Sequence, residues 1–433
     1  MIRLSNVEDL TPRVIQSIVT DHNPSRIKRL KKYYADGQDK SSDNPVANYA
    51  AYITSVATGY FLGKPITFTA AEGGEAFYEA VSDIFEYSDE QDHNAELGKE
   101  ASQCGIAYEV LYVDGDAKVR LGRLPAEEVI PIYTDTIETD LLAVLRVYEF
   151  DDVVTKKTKK RLELYTDKET VYYSNDAGTL KEIERVSHPF KGVPVNPYKN
   201  NEEQEGDYEK VISLIDSYNK SQGNTAADMD DFTDAFLKLV GMSGTQKGDI
   251  DQAKRDKVLL LEDGGAADWL VKQVNDAWVE NYKNRIQNDI HIVSMVPRLT
   301  DEAFAGNITG EALKYKLWGI EQITASKERK FKRALQRRLE LIANILEIKG
   351  KPGMDFRTIK ITFTRNLPAH VAEAADTVGK LSGILSQETL ISMIPGVENP
   401  AEEYQKYLAE REANSAYTGW APAPADPEPE GGE

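Results

Sequence analysis

Catalysis or metal binding in this 433-residue chain would have to start from five histidines, one cysteine and a cluster of aspartates. His22, His93, His188, His291 and His370 lie 71 to 103 residues apart. None forms the i, i+4 pair that places two imidazoles on one helical face for zinc, and no local serine–histidine signature accompanies them. Cys104, in ASQCGIAYEVLYV, sits where a helical pattern hands over to a strand, and it reads as a buried, inert thiol. A single cysteine excludes an internal disulfide framework and a cysteine-built zinc site. Gly59-Tyr-Phe-Leu-Gly63-Lys64-Pro65 approximates a phosphate-cradling loop. It has three residues between the glycines where four are needed, and Pro65 where a magnesium-binding hydroxyl belongs. Asp228, Asp230, Asp231 and Asp234 lack the glycine and closing glutamate of a calcium loop, and they read as a solvated helix face. Neither an enzyme nor a cofactor is expected from this inventory, and no metal site.

Composition narrows the class further. The chain has 72 acidic and 52 basic residues, a formal charge of -20, and 41% hydrophobic residues. That length suits two to four packed units. With 29 glycines and 18 prolines the chain is neither collagen-like nor wholly disordered. No stretch approaches the ~20 apolar residues that cross a bilayer, so no membrane partner is expected. The start, MIRLSNVEDLTPRV, is too polar for a signal sequence, which predicts synthesis in the cytosol. An acidic balance argues against a conventional nucleic-acid reader, which presents lysine and arginine to phosphates. It leaves open a protein that encloses DNA without gripping it.

The elements that must position any site divide the chain roughly in half, and the fold class they predict is α+β. Thr11 and Pro12 open a helical region over residues 11–35, with Ile15, Ile18 and Val19 as its apolar stripe. A second piece after Asn23-Pro24-Ser25 carries Arg26, Lys28, Arg29, Lys31 and Lys32, a charged run of the kind that normally faces solvent. Residues 46–62 read as a buried helix through Tyr49, Tyr52, Ile53, Val56 and Tyr60, followed by a break and a strand at Ile66–Phe68. Residues 75–104 read as helical again. From Ala107 to about Arg185 the apolar period changes from 3.6 to 2, which predicts an antiparallel meander that includes a turn at Asp114-Gly115. FKGVPVNPYKNNEEQEGD then reads as a loop.

The second half reads as long helices. One is expected over 208–240 and another from Asn275 or Asp276 to Pro297, with the stripe Trp278, Tyr282, Ile286, Ile290 and Val293. Between them, Gly241–Lys254 is polar and loop-like, and KVLLLEDGGAADWLVKQ forms a hairpin around Gly264-Gly265. VPRLTDEAFAGNITG (296–310) is an irregular connector. A helix from about Glu311 to Ile348 follows, with nine basic and five acidic residues. DFRTIKITFTRN alternates as a strand, residues 370–412 form short helices, and the last fourteen residues read as a disordered acidic, proline-rich tail. A hairpin module of about 30 residues has too little core to stand alone. Long helices with broad apolar faces need partners as well, and a head-to-tail ring of identical copies supplies both.

NYAAYITSVATGYFLGKPITF, FTDAFLKLVG and VPRLTDEAFAGNITGEALKYKLWGIEQITASKERKFKRALQRRLELI carry a resemblance to the portal proteins of tailed bacteriophages, the SPP1-portal-like family. It runs from about residue 10 to 400. The resemblance implies a phage portal fold with long stem and wing helices, an antiparallel β wing, a small clip hairpin module and a helical crown. By order, 1–207 would be the N-terminal and wing α/β region, 208–243 a stem helix, 244–275 the clip and 276–297 the second stem helix. Residues 298–310 would be the tunnel loop, 311–365 the long wing helix and returning strand, 366–412 the crown and 413–433 the tail. It further implies a dodecameric ring at one capsid vertex through which double-stranded DNA is packaged and ejected. The implied partners are further copies of the chain, the terminase large subunit, the head-completion adaptor, and the scaffolding and major capsid proteins. The setting would be the virion, after assembly in the host cytoplasm.

Charge then acquires a use, because a conduit must let the duplex slide. Asp301 and Glu302 are the acidic candidates for the lining. Asn307 and Thr309 are candidates for weak phosphate contacts, and Lys314 and Lys316 for limited attraction. Leu259, Leu260, Leu261 and Trp269 are the candidates for partner binding on the clip. Two alternatives remain at this point: a virion ring or adaptor that never encloses DNA, and a nucleotide-dependent or hydrolytic enzyme of the same assembly.

Overall fold

A computed structural model describes residues 1–37, 45–175, 179–233, 236–240, 246–256, 265–270, 276–299, 310–350, 353–366, 371–394, 396–397 and 399–418. The chain opens with strand β1 (Ile2–Leu4) and helices α1 (Pro12–Asp21) and α2 (Ser25–Asp36). Thr11 caps α1 by accepting the Val14 N–H at 3.4 Å, and Ile15, Ile18 and Val19 are buried. On α2, Lys28, Arg29 and Lys32 face solvent, whereas Lys31 is paired with Glu100 and Glu127 at 2.6 Å each. Helix α3 (Tyr49–Leu62) starts at an Asn48 cap and buries Ala50, Ile53 and Ala57.

The stretch 75–104, read as helical, holds two helices, α4 (Glu75–Tyr87) and α5 (Glu90–Cys104), broken at Asp89, whose φ is +49°. Cys104 ends α5 fully buried, and burial pushes its thiol up to about 12. Gly105 then turns the chain at φ +85°. A Cβ there would lie 1.8 Å from the Gln204 carbonyl oxygen, so glycine is required.

The predicted meander is split between two sheets. In the larger, the order is β1, β5 (Val129–Thr134), β6 (Leu141–Asp152), β7 (Lys157–Tyr165), β8 (Glu169–Ser174), β9 (Lys181–Ser187). Strand β1 runs parallel to β5 and the other pairs are antiparallel. A second sheet joins β3 (Ile106–Val113) to β4 (Val119–Leu124) and to β10 (Val195–Lys199). The segment containing β10 had read as loop. Its pairing partner lies some 90 residues away, and Val195 and Tyr198 are both fully buried, which no local pattern reveals. Strand β2 (Thr67–Ala70) pairs with β13 (Ile359–Thr362), also remote in sequence.

In the second half, α6 (Ile212–Thr233) stops short of the expected Val240, and Phe236–Val240 is strand β11. It pairs antiparallel with β12 (Ala266–Leu270), so Trp269 has a strand partner that lies before the expected hairpin, whose first arm, 257–264, falls outside the described residues. Lys247–Asp256, expected as loop, is helix α7. Helix α8 (Asp276–Ser294) follows, then α9 (Gly310–Lys316) and α10 (Trp318–Ile348), which divide the expected single long helix at Leu317. Helices α11 (Val371–Leu381), α12 (Gln387–Ser392) and α13 (Pro400–Thr418) complete the described chain. The last of these carries the helix past the boundary expected at residue 412.

The main core forms around α10. Phe331, Leu335, Leu339, Ile342 and Leu346 pack with Phe77, Val81, Leu97, Leu111, Ile359 and Ile361. A charge is enclosed in the same place. Arg338 is fully buried, with Nη1 3.0 Å from Glu90 Oε1 and Nη2 2.7 Å from Glu109 Oε1 and from Asn94 Oδ1. Glu109 also receives the Tyr198 hydroxyl at 2.9 Å and lies 2.9 Å from His93 Nε2. Burial alone would raise that carboxyl, but the Arg338 guanidinium and the His93 contact bring it down to about 2. Glu90 is raised by burial, which outweighs its share of the same guanidinium. Four elements (α5, β3, β10 and α10) are thereby tied to one buried ion, and leaving it unpaired would be costly.

Candidate functional site

The candidate site is the connector between α8 and α9 and the surfaces beside it. Its base is an apolar cluster in which Ile286, Ile290 and Val296 join Ile215, Val211 and Tyr208 against Leu30, Ile53 and Ala57. Gln287 donates to the Tyr49 hydroxyl at 2.8 Å, and the Tyr49 ring meets Tyr218 edge-on with centroids 5.2 Å apart. Lys283, almost wholly buried, reaches Gln222 Oε1 at 3.1 Å and Glu280 at 2.6 Å. These contacts hold α8 against α6 and α3.

The chain leaves α8 through Met295, at φ +58°, a reversal rarely adopted by a side-chain-bearing residue. His291 then donates Nδ1–H to the Val296 carbonyl at 2.9 Å, and its ring lies edge-on to Tyr49 and Tyr52. Burial holds that imidazole below its usual range. Tyr52 does two jobs: its hydroxyl donates to the Pro297 carbonyl at 2.9 Å and accepts the Leu299 N–H at 2.8 Å. One tyrosine on α3 thus clamps the entry to the connector.

The exit is fixed separately. Leu317 and Ile320 are buried against Tyr60, and Glu321 accepts the Tyr60 hydroxyl at 2.7 Å and Arg365 Nε at 2.9 Å. The Arg365 hydrogen bond holds the Glu321 carboxyl below its usual range. At Gly319, an added Cβ would lie 3.3 Å from the Met295 carbonyl oxygen, so the backbones at the two ends of the connector lie close together. Both ends are therefore rigid anchors, whatever the ten residues 300–309 do between them.

Of the expected site residues, Lys314 and Lys316 are exposed on α9, just past the connector. Asp301, Glu302, Asn307 and Thr309 lie outside the described residues, as do Leu259, Leu260 and Leu261. Trp269 is on β12, in register with Leu237. A different set comes forward on the helices that precede and follow the connector. Trp278, Tyr282 and Val293, expected on the buried stripe of α8, are 65%, 42% and 48% exposed, while Ile286 and Ile290 take the interior. The Trp278 and Tyr282 rings stack 5.8 Å apart. Tyr315 and Trp318, three residues apart across the α9–α10 break, are 74% and 62% exposed. The sequence signal for this set was aromatic type at helical spacing, which does not distinguish an interior face from a docking face. Among the described residues no group of three or more His, Cys, Asp or Glu could hold a metal ion, and no helix is long and apolar enough to cross a membrane. The chemistry on offer is contact, through two exposed aromatic pairs, one of them next to Lys314 and Lys316.

A family model described as phage portal protein, SPP1 Gp6-like, matches residues 18–417. The chain belongs to that family. It is 27% identical to the portal protein of Bacillus phage SPP1 over 429 aligned residues, covering 90% of this chain and 84% of that one. It is 24% identical to the portal protein of Clostridium phage phiCD119 over 401 residues, 87% of each. A solved structure of the neck of an empty GTA particle, computed with C6 symmetry, overlaps 86% of this chain and 94% of its own at a TM-score of 0.45 and 12% identity. The resemblance read from the connector and long-helix residues is thus borne out as family membership.

Proposed function

We propose that this portal-family chain closes into a ring of identical copies at one capsid vertex and that double-stranded DNA is packaged and ejected through the ring. The observation that supports this best is the exposed aromatic surface of Trp278, Tyr282, Tyr315 and Trp318 on the helices flanking the connector. Single exposed apolar residues are ordinary, but an exposed aromatic pair on each side of the connector, Trp278 with Tyr282 and Tyr315 with Trp318, has the composition of an interface core. A head-to-tail contact with a closing rotation covers such a surface on every copy.

In this reading α6 and α8 are the stem and residues 244–275 the clip, to which the neighbouring strand β11 contributes. Residues 298–310 are the tunnel loop, 311–365 the wing helix with its returning strand, and 366–412 the crown. Asp301 and Glu302 keep the duplex off the wall, Asn307 and Thr309 touch phosphates weakly, and Lys314 and Lys316 supply limited attraction. The chain's charge of -20 favours sliding over gripping. Leu259, Leu260, Leu261 and Trp269 on the clip meet the terminase motor and the head-completion adaptor. Scaffolding and major capsid proteins meet the ring elsewhere. The chain itself catalyses nothing in this scheme, and ATP hydrolysis belongs to the motor.

Native mass spectrometry with electron micrographs of the purified protein tests the proposal. A closed oligomer with a through channel wide enough for the duplex is expected, and the Trp278→Ala, Trp318→Ala double variant should shift the population to single copies. A protein that remains monomeric at every concentration sinks the reading. A ring without a channel would instead favour an adaptor that never encloses DNA.

A further inference from the structure

Strands β6 and β7 run on past their neighbours. Strand β5 begins at Val129, opposite Arg146, and β8 ends at Ser174, opposite Arg161. Residues 147–152 and 157–160 therefore pair in register only with each other, as a two-stranded arm. From Arg146 to its tip is about 20 Å of extended chain.

The tip is built to a fixed shape. Asp152 Oδ1 accepts the Val154 and Thr155 N–H groups at 2.8 and 2.9 Å, and the Asp152 carbonyl accepts the Lys156 N–H at 2.7 Å. The same carboxylate pairs with Lys159. That turn holds Val153 and Val154 outward, 89% and 91% exposed. Lys156 and Lys157 follow, both exposed and without a carboxylate partner among the described residues. A lone two-stranded arm is marginal in water, and two exposed valines at its end gain by being seated elsewhere.

A socket of matching chemistry lies on another part of the same chain. A cleft of about 490 Å³ opens between β2, α4 and the residues that lead into α5, with Asn399 at one side. Its wall is apolar. Pro65 and Tyr78 are half-buried there, and Phe68 and Phe85, with ring centroids 5.0 Å apart, each keep 8% exposure. The rim carries Glu86 and Asp89, both exposed and without a cationic partner among the described residues. Glu90 beside them is committed to Arg338, and no described lysine or arginine lines the cleft.

We propose that the β6–β7 arm of one copy seats Val153 and Val154 in this cleft of the next copy, with Lys156 and Lys157 against Glu86 and Asp89. The proposal rests on the ring reading above and names a contact within it. Residues 153–160 hold four lysines and no acid within a chain of charge -20, so acidic surface of the same protein is their electrostatic complement. The cleft volume suits the few side chains of one turn. Arm and cleft are different surfaces, so each copy gives one arm and receives one, which is the head-to-tail contact that closes a ring.

Cysteine pairing tests this, because Cys104 is buried and introduced thiols are the only accessible ones. Val154→Cys combined with Ser82→Cys, which lies in the cleft, should give a ladder of covalently joined copies on mild oxidation. Either cysteine alone should give nothing larger than a pair. Native mass spectrometry of the full chain reads association separately. Val154→Asp, at an exposed position, should keep the melting temperature of the single copy and weaken association about tenfold or more. Lys157→Glu and Glu86→Lys should each weaken it about tenfold, and the two together should restore it. A closed oligomer that gives no ladder, or that is indifferent to Val154→Asp, overturns the arm contact and leaves the ring standing. Single reversals that the double reversal does not rescue overturn it as well. A chain that never associates overturns both.

Discussion

The long helix α10 meets two different environments along its length. From Phe331 to Leu346 it is packed on its inner face, and its one buried cation there, Arg338, finds two carboxylates and an amide within 3.0 Å. At its start, on α9 and on the first turns of α8, Trp318, Tyr315 and Trp278 stand largely in solvent, and Tyr282 is 42% exposed. The first region completes itself within one chain. The second presents apolar surface that one chain leaves uncovered. Stability should therefore reside in the first and association in the second.

The sharpest way to break that division is Arg338→Met. It leaves Glu90 and Glu109 buried without their cation, and the expected loss is about 3–5 kcal/mol in the unfolding free energy measured by denaturant titration. A loss no larger than that of an exposed substitution would mean the network is not what holds α10 in place.

Acid provides a graded version of the same test. Glu109 has its folded pKa depressed from 4.5 to about 2, so its contribution is fully present above about 4.5 and is lost as pH falls toward 2. Glu90, raised by burial, has the opposite sign and offsets part of that loss. Unfolding free energies measured between those pH values should fall, and Glu109→Gln should flatten the fall.

At the connector the expected effects are smaller and local. Tyr52→Phe removes a donor to Pro297 and an acceptor for Leu299, a loss of about 1–3 kcal/mol. Hydrogen exchange at Leu299 should accelerate while exchange in α10 stays unchanged; equal acceleration in both would show that the clamp is not local. The smallest stability change belongs to Trp278→Ala, within about 0.5 kcal/mol for the dissociated chain, because the indole is mostly in water. If the same variant unfolded the monomer, the contrast between the regions would collapse.

Much of the local structure was legible beforehand. Thr11-Pro12 marked a helix start, Cys104 the hand-over from α5 to β3, and the residues around Asp114-Gly115 the turn between β3 and β4. Each signal lies within a few residues of its consequence. The misses were of another kind. Phe236–Val240 carries apolar spacing that suits a helix as well as a strand, and only its pairing with Ala266–Leu270 decides between them. Val195–Lys199 contains Pro197 and follows a loop-like run, so its place in a sheet depends on β3. Trp278 was assigned to the stripe of Ile286 and Ile290 because hydrophobic type does not encode what lies opposite.

The amino-acid order alone therefore determined the starts of α1 and α8, the period-2 region, the absence of a local catalytic or metal signature, and the connector and long-helix residues that carry the family likeness. These depend on backbone propensity and on neighbours three or four positions away. Tertiary structure decided which strands share a sheet, that Arg338 is enclosed by Glu90 and Glu109, and which aromatics face outward. Those outcomes depend on residues tens to hundreds of positions apart competing to exclude water from the same volume, and that competition is resolved only when the whole chain packs.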